Sequence, residues 1–400
     1  MKLIEKIAFL LLPLSILFSS LTFVPNRILI LIMLLTVFIR QRFFLKLLKE
    51  KLWIPLIVIL YLLLIIFGNA SLSKEAILFL SIPIYSLIYF GSALSKFLLK
   101  KYFILSVCCY SVILLLINLF ETVSFGLSKF FEHEHWWNSL LYKNLSSQLD
   151  GHPTYISMFI IAAIVMLLDQ SFRDKKYFQS FQSILILSLL ILVLILLVVK
   201  ISFLSIIAIL ITYMVYLLIN KQQNFALIVM FSLCIIGFSA YQIPGVRHRL
   251  IIDIKSFVSS KSNSSVENNL NERTALWKAS STYIKKHPFI GSSMLGLSSK
   301  SSIYPEAKIL YPPLEYPKNS HNNFLEFGVR YGVSGAILFS FFLFFMLFLG
   351  LKQASFEIIG IWILLCLFSL TESFMFREQG ISLVGIIIAI FGIQLYERNI

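Results

Sequence analysis

The fold is decided by residues 183–219, which read SILILSLLILVLILLVVKISFLSIIAILITYMVYLLI and contain one charged residue, Lys200. As one continuous helix this stretch would extend about 55 Å at 1.5 Å per residue. The hydrocarbon core of a bilayer is only about 30 Å thick. We therefore expect two membrane-spanning helices, at 182–199 and 201–219, with a break at Lys200.

The composition of the whole chain supports the same class of protein. Of its 400 residues, 58% are hydrophobic and 13% are charged, whereas an ordinary soluble domain has about 25% charged residues. So little charge cannot cover a water-exposed surface, which excludes cytosolic enzymes, secreted domains and disordered proteins. The sequence predicts an all-α polytopic membrane protein with about twelve transmembrane helices.

Twelve apolar runs support that count. They lie at 7–24, 28–39, 52–67, 76–94, 102–120, 153–168, 182–199, 201–219, 225–241, 332–350, 356–370 and 381–396. We expect residues 1–241 to hold nine helices with an outer loop at 121–152, and residues 323–400 to hold the last three. The long segment 242–322 between spans nine and ten is expected to form a cap on the outer face.

Basic residues indicate the orientation of the chain in the membrane. The chain has 34 basic and 19 acidic residues and a net charge of +15. With the N-terminus inside, sixteen basic residues fall on the cytoplasmic side and six in the short outer segments. Because cytoplasmic loops are enriched in Lys and Arg, we expect both termini in the cytoplasm. The region 242–330 holds the other twelve basic residues against six acidic ones, which suits either an anionic lipid diphosphate or an ordinary solvated loop.

The cap has local signals of its own. Helical spacing from Arg273 to Ile284 predicts a helix with N-cap candidates at 268–271. The helix should end near His287, because the following proline disfavours a helical residue before it. Four prolines within 304–319, beginning with Pro305, predict an extended and irregular path there.

All six histidines fall on the outer side of the predicted topology. They are His133, His135, His152, His248, His287 and His321. Histidine is the commonest general base near neutral pH, so this distribution favours chemistry on the outer face. His133 and His135 could share a zinc ion, but no third ligand is evident and we expect no metal site. His152 is either a helix-start residue or a polar group at the mouth of an outer cavity.

Three motifs in this order resemble the O-antigen ligase and polymerase family of bacterial envelopes. They are Arg273-x3-Trp277, His287-Pro288-x2-Gly291 and His321-Asn322-x2-Leu325-x2-Phe327-Gly328. The resemblance covers the long outer loop and the span that follows it, with a matching twelve-span topology around them.

The resemblance implies a metal-independent and cofactor-independent glycosyltransferase on the periplasmic face of the bacterial inner membrane. The donor would be a glycan on undecaprenyl diphosphate, and the acceptor a lipid A–core sugar or another lipid-linked repeat. His321 would activate the acceptor hydroxyl, and Arg273 would hold the donor diphosphate. Lys200 stands where the family often has an arginine. A lysine there keeps the positive charge but cannot bind a phosphate through two parallel N–H donors.

Elementary chemistry points the same way. The sequence has no Gly-rich phosphate loop and no Asp-x-Asp metal pair, so fixed cations would stabilise the departing diphosphate. We expect Arg247 or Arg249 to assist Arg273 and Lys200 in this role. Possible further residues of the outer cavity are His152, Asn322, Glu372 and Arg377.

Several alternatives remain open at this point. A polymerase of polysaccharide repeat units and a protein O-oligosaccharyltransferase would use the same donor, and acceptor choice depends on cavity shape. A lipid-linked glycan exporter without chemistry would favour charged residues along a route through the membrane, and the spans nearly lack them. Membrane lipids are expected partners, and nucleic acid is not.

Overall fold

The computed structural model describes residues 2–18, 95–124, 141–147, 151–173, 181–242, 265–293 and 295–397, together with 82, 84, 85, 149 and 247. This part of the chain is helical and contains no strand, which confirms the all-α prediction for it. Its helices are α1 (Lys2–Leu17), α2 (Lys96–Ser124), α3 (Lys143–Ser147), α4 (Pro153–Arg173), α5 (Phe181–Leu197), α6 (Lys200–Ile219), α7 (Gln223–Gln242), α8 (Ser265–Lys286), α9 (Ser299–Leu310), α10 (Asn323–Lys352), α11 (Phe356–Thr371) and α12 (Glu378–Glu397), with a 3-10 turn at Phe374–Phe376 between the last two.

The helices agree with the predicted apolar runs wherever the structure describes them. Four of them, in α2, α4, α6 and α10, are long and apolar enough to cross a membrane, and α1, α5, α11 and α12 contain shorter apolar stretches. The runs at 28–39 and 52–67, and nearly all of 76–94, lie outside the described residues. The chain is thus a membrane protein, whereas the count of twelve spans and their orientation stay predictions.

The break predicted from length at Lys200 is confirmed. α5 ends at Leu197 and α6 begins at Lys200. Val198 between them has a φ of 44°, a left-handed conformation that a right-handed helix cannot continue through. The 37-residue apolar stretch is therefore two helices, each close to the thickness of a membrane.

α4 lies at the centre of the described bundle. All its residues from Pro153 to Ser171 are buried, and α2, α5, α6, α11 and α12 pack around it. A helix that is apolar on all sides is typical of such a position. At Gly360 of α11 a Cβ would lie 2.9 Å from Cγ1 of Val165, so the glycine lets α11 approach α4 closely.

A buried ionic cluster joins three helices at the C-terminal end of α4. Lys100 Nζ of α2 lies 3.3 Å from Asp169 Oδ2 of α4 and also pairs with Glu357 of α11. Arg173 Nε lies 2.8 Å from the same Asp169 oxygen. Because charges this deeply buried need partners, the cluster fixes α2, α4 and α11 relative to one another.

The cap region contains two helices, α8 and α9, with a small core of their own. That core consists of Leu276, Ala279, Ile303, Ala307, Leu314 and Val329. α8 ends at Lys286 as predicted, but it begins at Ser265. The N-cap expected at 268–271 is therefore wrong, since those asparagines fit inside the first turns at a cost of only about 0.7 kcal/mol each.

The extended path predicted for 304–319 is wrong for its first part. α9 continues to Leu310 with Pro305 inside it. Proline removes one backbone hydrogen bond, but Ile303 and Ala307 on the same helix are buried in the cap core, which compensates. Residues 311–320 are irregular, as expected.

The His287-Pro288-x2-Gly291 motif packs the cap against α10. α10 is interrupted at Gly332, where φ is 72° and ψ is −169°. There the Val333 N–H donates to the Pro288 carbonyl at 2.8 Å. A Cβ at Gly332 would lie 2.6 Å from that same oxygen, and one at Gly291 would lie 2.1 Å from the Arg330 carbonyl oxygen. Both glycines therefore permit backbone-to-backbone contact, and the motif is a docking element.

Candidate active site

His321 lies where the cap enters the helical bundle. Its φ of 47° is left-handed, and the next residue, Asn322, is the N-cap of α10, with Oδ1 accepting from the Leu325 N–H at 3.1 Å. Such a cap stabilises a helix by about 1 kcal/mol. The Asn322 Nδ2 also donates to the Leu370 carbonyl at 3.2 Å, and its N–H donates to Ser373 Oγ at 3.1 Å. Asn322 thereby fixes the position of His321 against the end of α11.

Asn323 makes a second connection to the same place. It is fully buried, and its Nδ2 donates to Ser369 Oγ at 3.2 Å while its Oδ1 accepts from the Met375 N–H at 3.2 Å. These contacts clamp the turn that follows α11, and that turn carries Glu372. Two consecutive asparagines therefore bring His321 and Glu372 together across about fifty residues of sequence.

Glu372 bridges a histidine and an arginine that sequence analysis had placed in the site. Its Oε2 lies 3.5 Å from His321 Nδ1, and its Oε1 lies 3.4 Å from Arg273 Nη2 of α8. The side chain of Glu372 is 11% exposed, that of His321 28% and that of Arg273 38%. The carboxylate is thus recessed, while both of its partners reach the surface of the site.

The surroundings of Glu372 favour its charged form. Burial alone would raise the pKa of this carboxyl, but the His321 ring and the charges of Arg273 and His152 outweigh burial and hold the pKa below its ordinary value. Glu372 is therefore an anion at neutral pH.

Two further predicted cavity residues lie in the same neighbourhood. His152, at the start of α4, has its ring 5.1 Å from that of Tyr155, and it lies close enough to Glu372 to act on that carboxylate. Arg377 is exposed and interacts with the Tyr155 hydroxyl. The starts of α4 and α12 and the end of α11 therefore meet beside His321.

A buried network holds the residue before His321, and the sequence analysis missed it. The Glu326 carboxylate accepts from Ser299 Oγ at 2.5 Å and from Ser320 at 3.0 Å (N–H) and 2.7 Å (Oγ). Arg330 Nε donates to it at 2.7 Å. Glu326 and Arg330 are four residues apart at the start of an apolar helix. Two such charges in that position are the sequence signal that could have indicated this network.

A second ion pair connects the segment that precedes His321 to α8. Lys318 Nζ lies 2.7 Å from Glu272 Oε1 and 4.8 Å from the centre of the Tyr316 ring. Burial lowers the pKa of Lys318, but its hydrogen bond and charge interaction with Glu272 dominate and raise it. Glu272 is the neighbour of Arg273, so this pair helps to place the arginine beside Glu372.

The other cations predicted to hold a diphosphate are Lys200, Arg247 and Arg249. Lys200 is exposed at the start of α6; Ser202 in the same turn donates to Ser157 of α4 at 2.6 Å, so Lys200 lies toward the His152 end of α4. Arg247 lies over the Tyr241 ring at 5.6 Å. Arg249 lies outside the described residues.

The arrangement combines an imidazole, a buried carboxylate and a guanidinium. In the part of the chain that the structure describes, no group of three or more His, Cys, Asp or Glu side chains could hold a metal ion. The described site thus offers a base that a carboxylate can orient and a cation that can bind an anionic group.

Residues 185–340 match the family described as O-antigen ligase, which confirms the resemblance found in the motifs. The matched region begins in α5 and includes Arg273 and His321, whereas Glu372 and His152 lie outside it. A comparison with curated proteins finds no match.

Proposed function

We propose that this membrane protein, whose residues 185–340 match the O-antigen ligase family, transfers a glycan from undecaprenyl diphosphate to a sugar hydroxyl of lipid A–core. The transfer would take place on the periplasmic face of the inner membrane, with both termini in the cytoplasm and the cap outside. The observation that carries the proposal is the bridge that Glu372 makes between His321 and Arg273.

His321 is suited to act as the general base. Its Nδ1 lies 3.5 Å from Glu372 Oε2, which would leave the Nε2 atom to accept a proton from an acceptor hydroxyl. A carboxylate behind an imidazole selects the tautomer and stabilises the imidazolium that forms. Proton transfer by a positioned base contributes roughly 10²- to 10⁴-fold to a rate.

Arg273 is suited to bind the leaving diphosphate. A guanidinium presents parallel N–H donors that match phosphate oxygens, and more than a third of this side chain is accessible. Arg377 and Lys200 would add positive charge at the same end of the bundle, and the loop arginines 247 and 249 are further candidates.

The reaction would be a single displacement with inversion. The acceptor oxygen forms a bond to the anomeric carbon as the bond from that carbon to the diphosphate oxygen breaks. The hydroxyl proton passes to His321, and undecaprenyl diphosphate leaves against Arg273. His321 then returns its proton to solvent.

Two related activities would use the same geometry with a different acceptor. A repeat-unit polymerase would transfer to another lipid-linked glycan, and a protein O-oligosaccharyltransferase to a protein hydroxyl. A deletion strain separates them by its lipopolysaccharide gel pattern. Long lipid-linked chains that fail to reach core indicate a ligase, single repeats on core indicate a polymerase, and altered glycoproteins with unchanged lipopolysaccharide indicate the protein-directed enzyme.

The test of the chemistry is a reconstituted assay. Purified protein in liposomes should release undecaprenyl diphosphate from a lipid-linked glycan only when acceptor is present. Arg273→Ala should raise the KM for the donor roughly 10- to 100-fold, the loss expected for a charge-assisted hydrogen bond. Lys278→Ala, an exposed cation on the same helix, serves as the matched control. Movement of the glycan across the membrane without release of undecaprenyl diphosphate would instead identify an exporter.

A further inference from the structure

The turn after α8 presents two apolar side chains that the protein leaves uncovered. Phe289 is 84% exposed and Ile290 is 49% exposed. Their backbone is held firmly, because the Pro288 carbonyl before them accepts from the Val333 N–H of α10 at 2.8 Å. A Cβ at Gly332 would lie 3.1 Å from the Phe289 carbonyl carbon. The two side chains are thus rigidly presented at the kink of α10.

An exposed apolar stripe on α10 begins beside this turn. It consists of Val333, Ile337, Phe341, Phe344, Phe348 and Leu351. The spacing of three and four residues places these side chains on one face of the helix. From Val333 to Leu351 the helix rises about 27 Å, which is close to the hydrocarbon thickness of about 30 Å. The stripe is therefore long and apolar enough to face lipid across the hydrocarbon core.

Charge distribution marks the two ends of that surface. Lys352 follows the stripe at one end, with its Nζ 6.0 Å from the centre of the Phe348 ring. At the other end Lys285 and Lys286, both exposed, precede Phe289 by four and three residues. Lys286 Nζ also lies 3.7 Å from Glu306 Oε2. Lysines and aromatic rings at the edge of an apolar band are typical of a membrane–water interface.

We infer that Phe289 and Ile290 insert into the bilayer leaflet on the side of the cap, with Lys285 and Lys286 at the level of the lipid phosphates. The turn continues the apolar stripe of α10 and anchors the cap to the membrane surface. A bilayer is the occupant because the exposed side chains adjoin a surface that is long and apolar enough to face lipid. The inference rests on this surface alone and does not require the proposed glycosyl transfer.

Spin-label accessibility tests this insertion in the full-length chain. Cys108, Cys109, Cys234 and Cys366 are replaced by alanine, and Phe289→Cys, Ile290→Cys and, as an aqueous control, Ser301→Cys are labelled with a nitroxide. The proteins are reconstituted in phosphatidylethanolamine–phosphatidylglycerol liposomes. Accessibility to oxygen, relative to a water-soluble nickel chelate, should be several-fold higher at 289 and 290 than at 301.

Two outcomes would overturn the inference. Nickel accessibility at 289 and 290 equal to that at the exposed Ser301 position would place the turn in water. Exclusion of both reagents would indicate a protein contact instead of lipid. Because two adjacent positions are labelled, a folding defect at one leaves the other informative.

Discussion

A single carboxylate explains why the predicted residues converge. Glu372 contacts His321 with one oxygen and Arg273 with the other. The sequence marks all three as candidate site residues, but it indicates no role for Glu372. Its position depends on hydrogen bonds from Asn322 and Asn323 to the turn after α11. Pairings between residues that are fifty or more apart leave no local pattern in a sequence, so this part of the site could not be predicted.

Removing the charge of Glu372 should slow the reaction. Glu372→Gln keeps the size of the side chain but no longer stabilises a protonated His321, so we expect kcat to fall roughly a hundredfold. The KM for the acceptor should change little. The reconstituted assay checks this, with Glu315→Gln, an exposed carboxylate of the cap, as control. Equal effects of the two substitutions would exclude the proposed role.

The lowered pKa of Glu372 also predicts an acid-dependent loss of stability. The folded state binds this proton less tightly than the unfolded state, so the stabilisation is fully present above the ordinary pKa of 4.5. It is lost as the pH falls through the lower folded-state value. Thermal unfolding in detergent should show a steeper drop below pH 4.5 for the wild type than for Glu372→Gln. Parallel curves would contradict the assignment.

At the scale of elements, two of the sequence motifs have different structural roles. The His-Asn motif places the site, whereas the His-Pro-x2-Gly motif docks the cap on the kink of α10. The sequence correctly predicted the end of α8 from Pro288. It failed at Pro305 because tertiary burial of Ile303 and Ala307 outweighs the local preference of proline.

Alanine substitutions at two glycines should distinguish the loss of the cap–α10 contact from the cost of backbone strain. Gly332→Ala adds a Cβ 2.6 Å from the Pro288 oxygen at a φ of 72°, whereas Gly296→Ala has a φ of 68° and open space around it. Left-handed strain costs about 1–3 kcal/mol in either variant. Only Gly332→Ala should also displace the cap, which we expect to appear as a lower unfolding temperature and faster proteolysis of α8. Equal behaviour of the two variants would show that the contact is dispensable.

At the scale of the whole molecule, α4 and α11 connect two clusters at opposite ends of the bundle. One end of α4 carries His152 and the other carries Asp169. Likewise, α11 begins beside Glu357 and ends at the turn that carries Glu372. Hydropathy and length predicted these helices and the break at Lys200. They did not predict which helices are neighbours, since an apolar run carries no information about its partner.

Loss of the buried cation should destabilise the bundle. Lys100→Met leaves Asp169 and Glu357 without their shared partner, and breaking a buried ion pair in this way costs about 3–5 kcal/mol. Lys101→Met changes an exposed neighbour and should have almost no effect. Denaturation in detergent measures both variants, and a similar stability for the two would mean that the cluster contributes little.

The most direct test of the account is glycan transfer by His321→Ala in liposomes that contain an undecaprenyl diphosphate-linked donor and lipid A–core acceptor. His287→Ala is the matched control, because the ring of this second cap histidine lies 4.7 Å from that of Tyr283 and is not among the groups that act on Glu372. We expect His321→Ala to remain folded and to lose at least about a hundredfold in kcat, while His287→Ala keeps most of the activity. Transfer by folded His321→Ala at the wild-type rate would contradict the account.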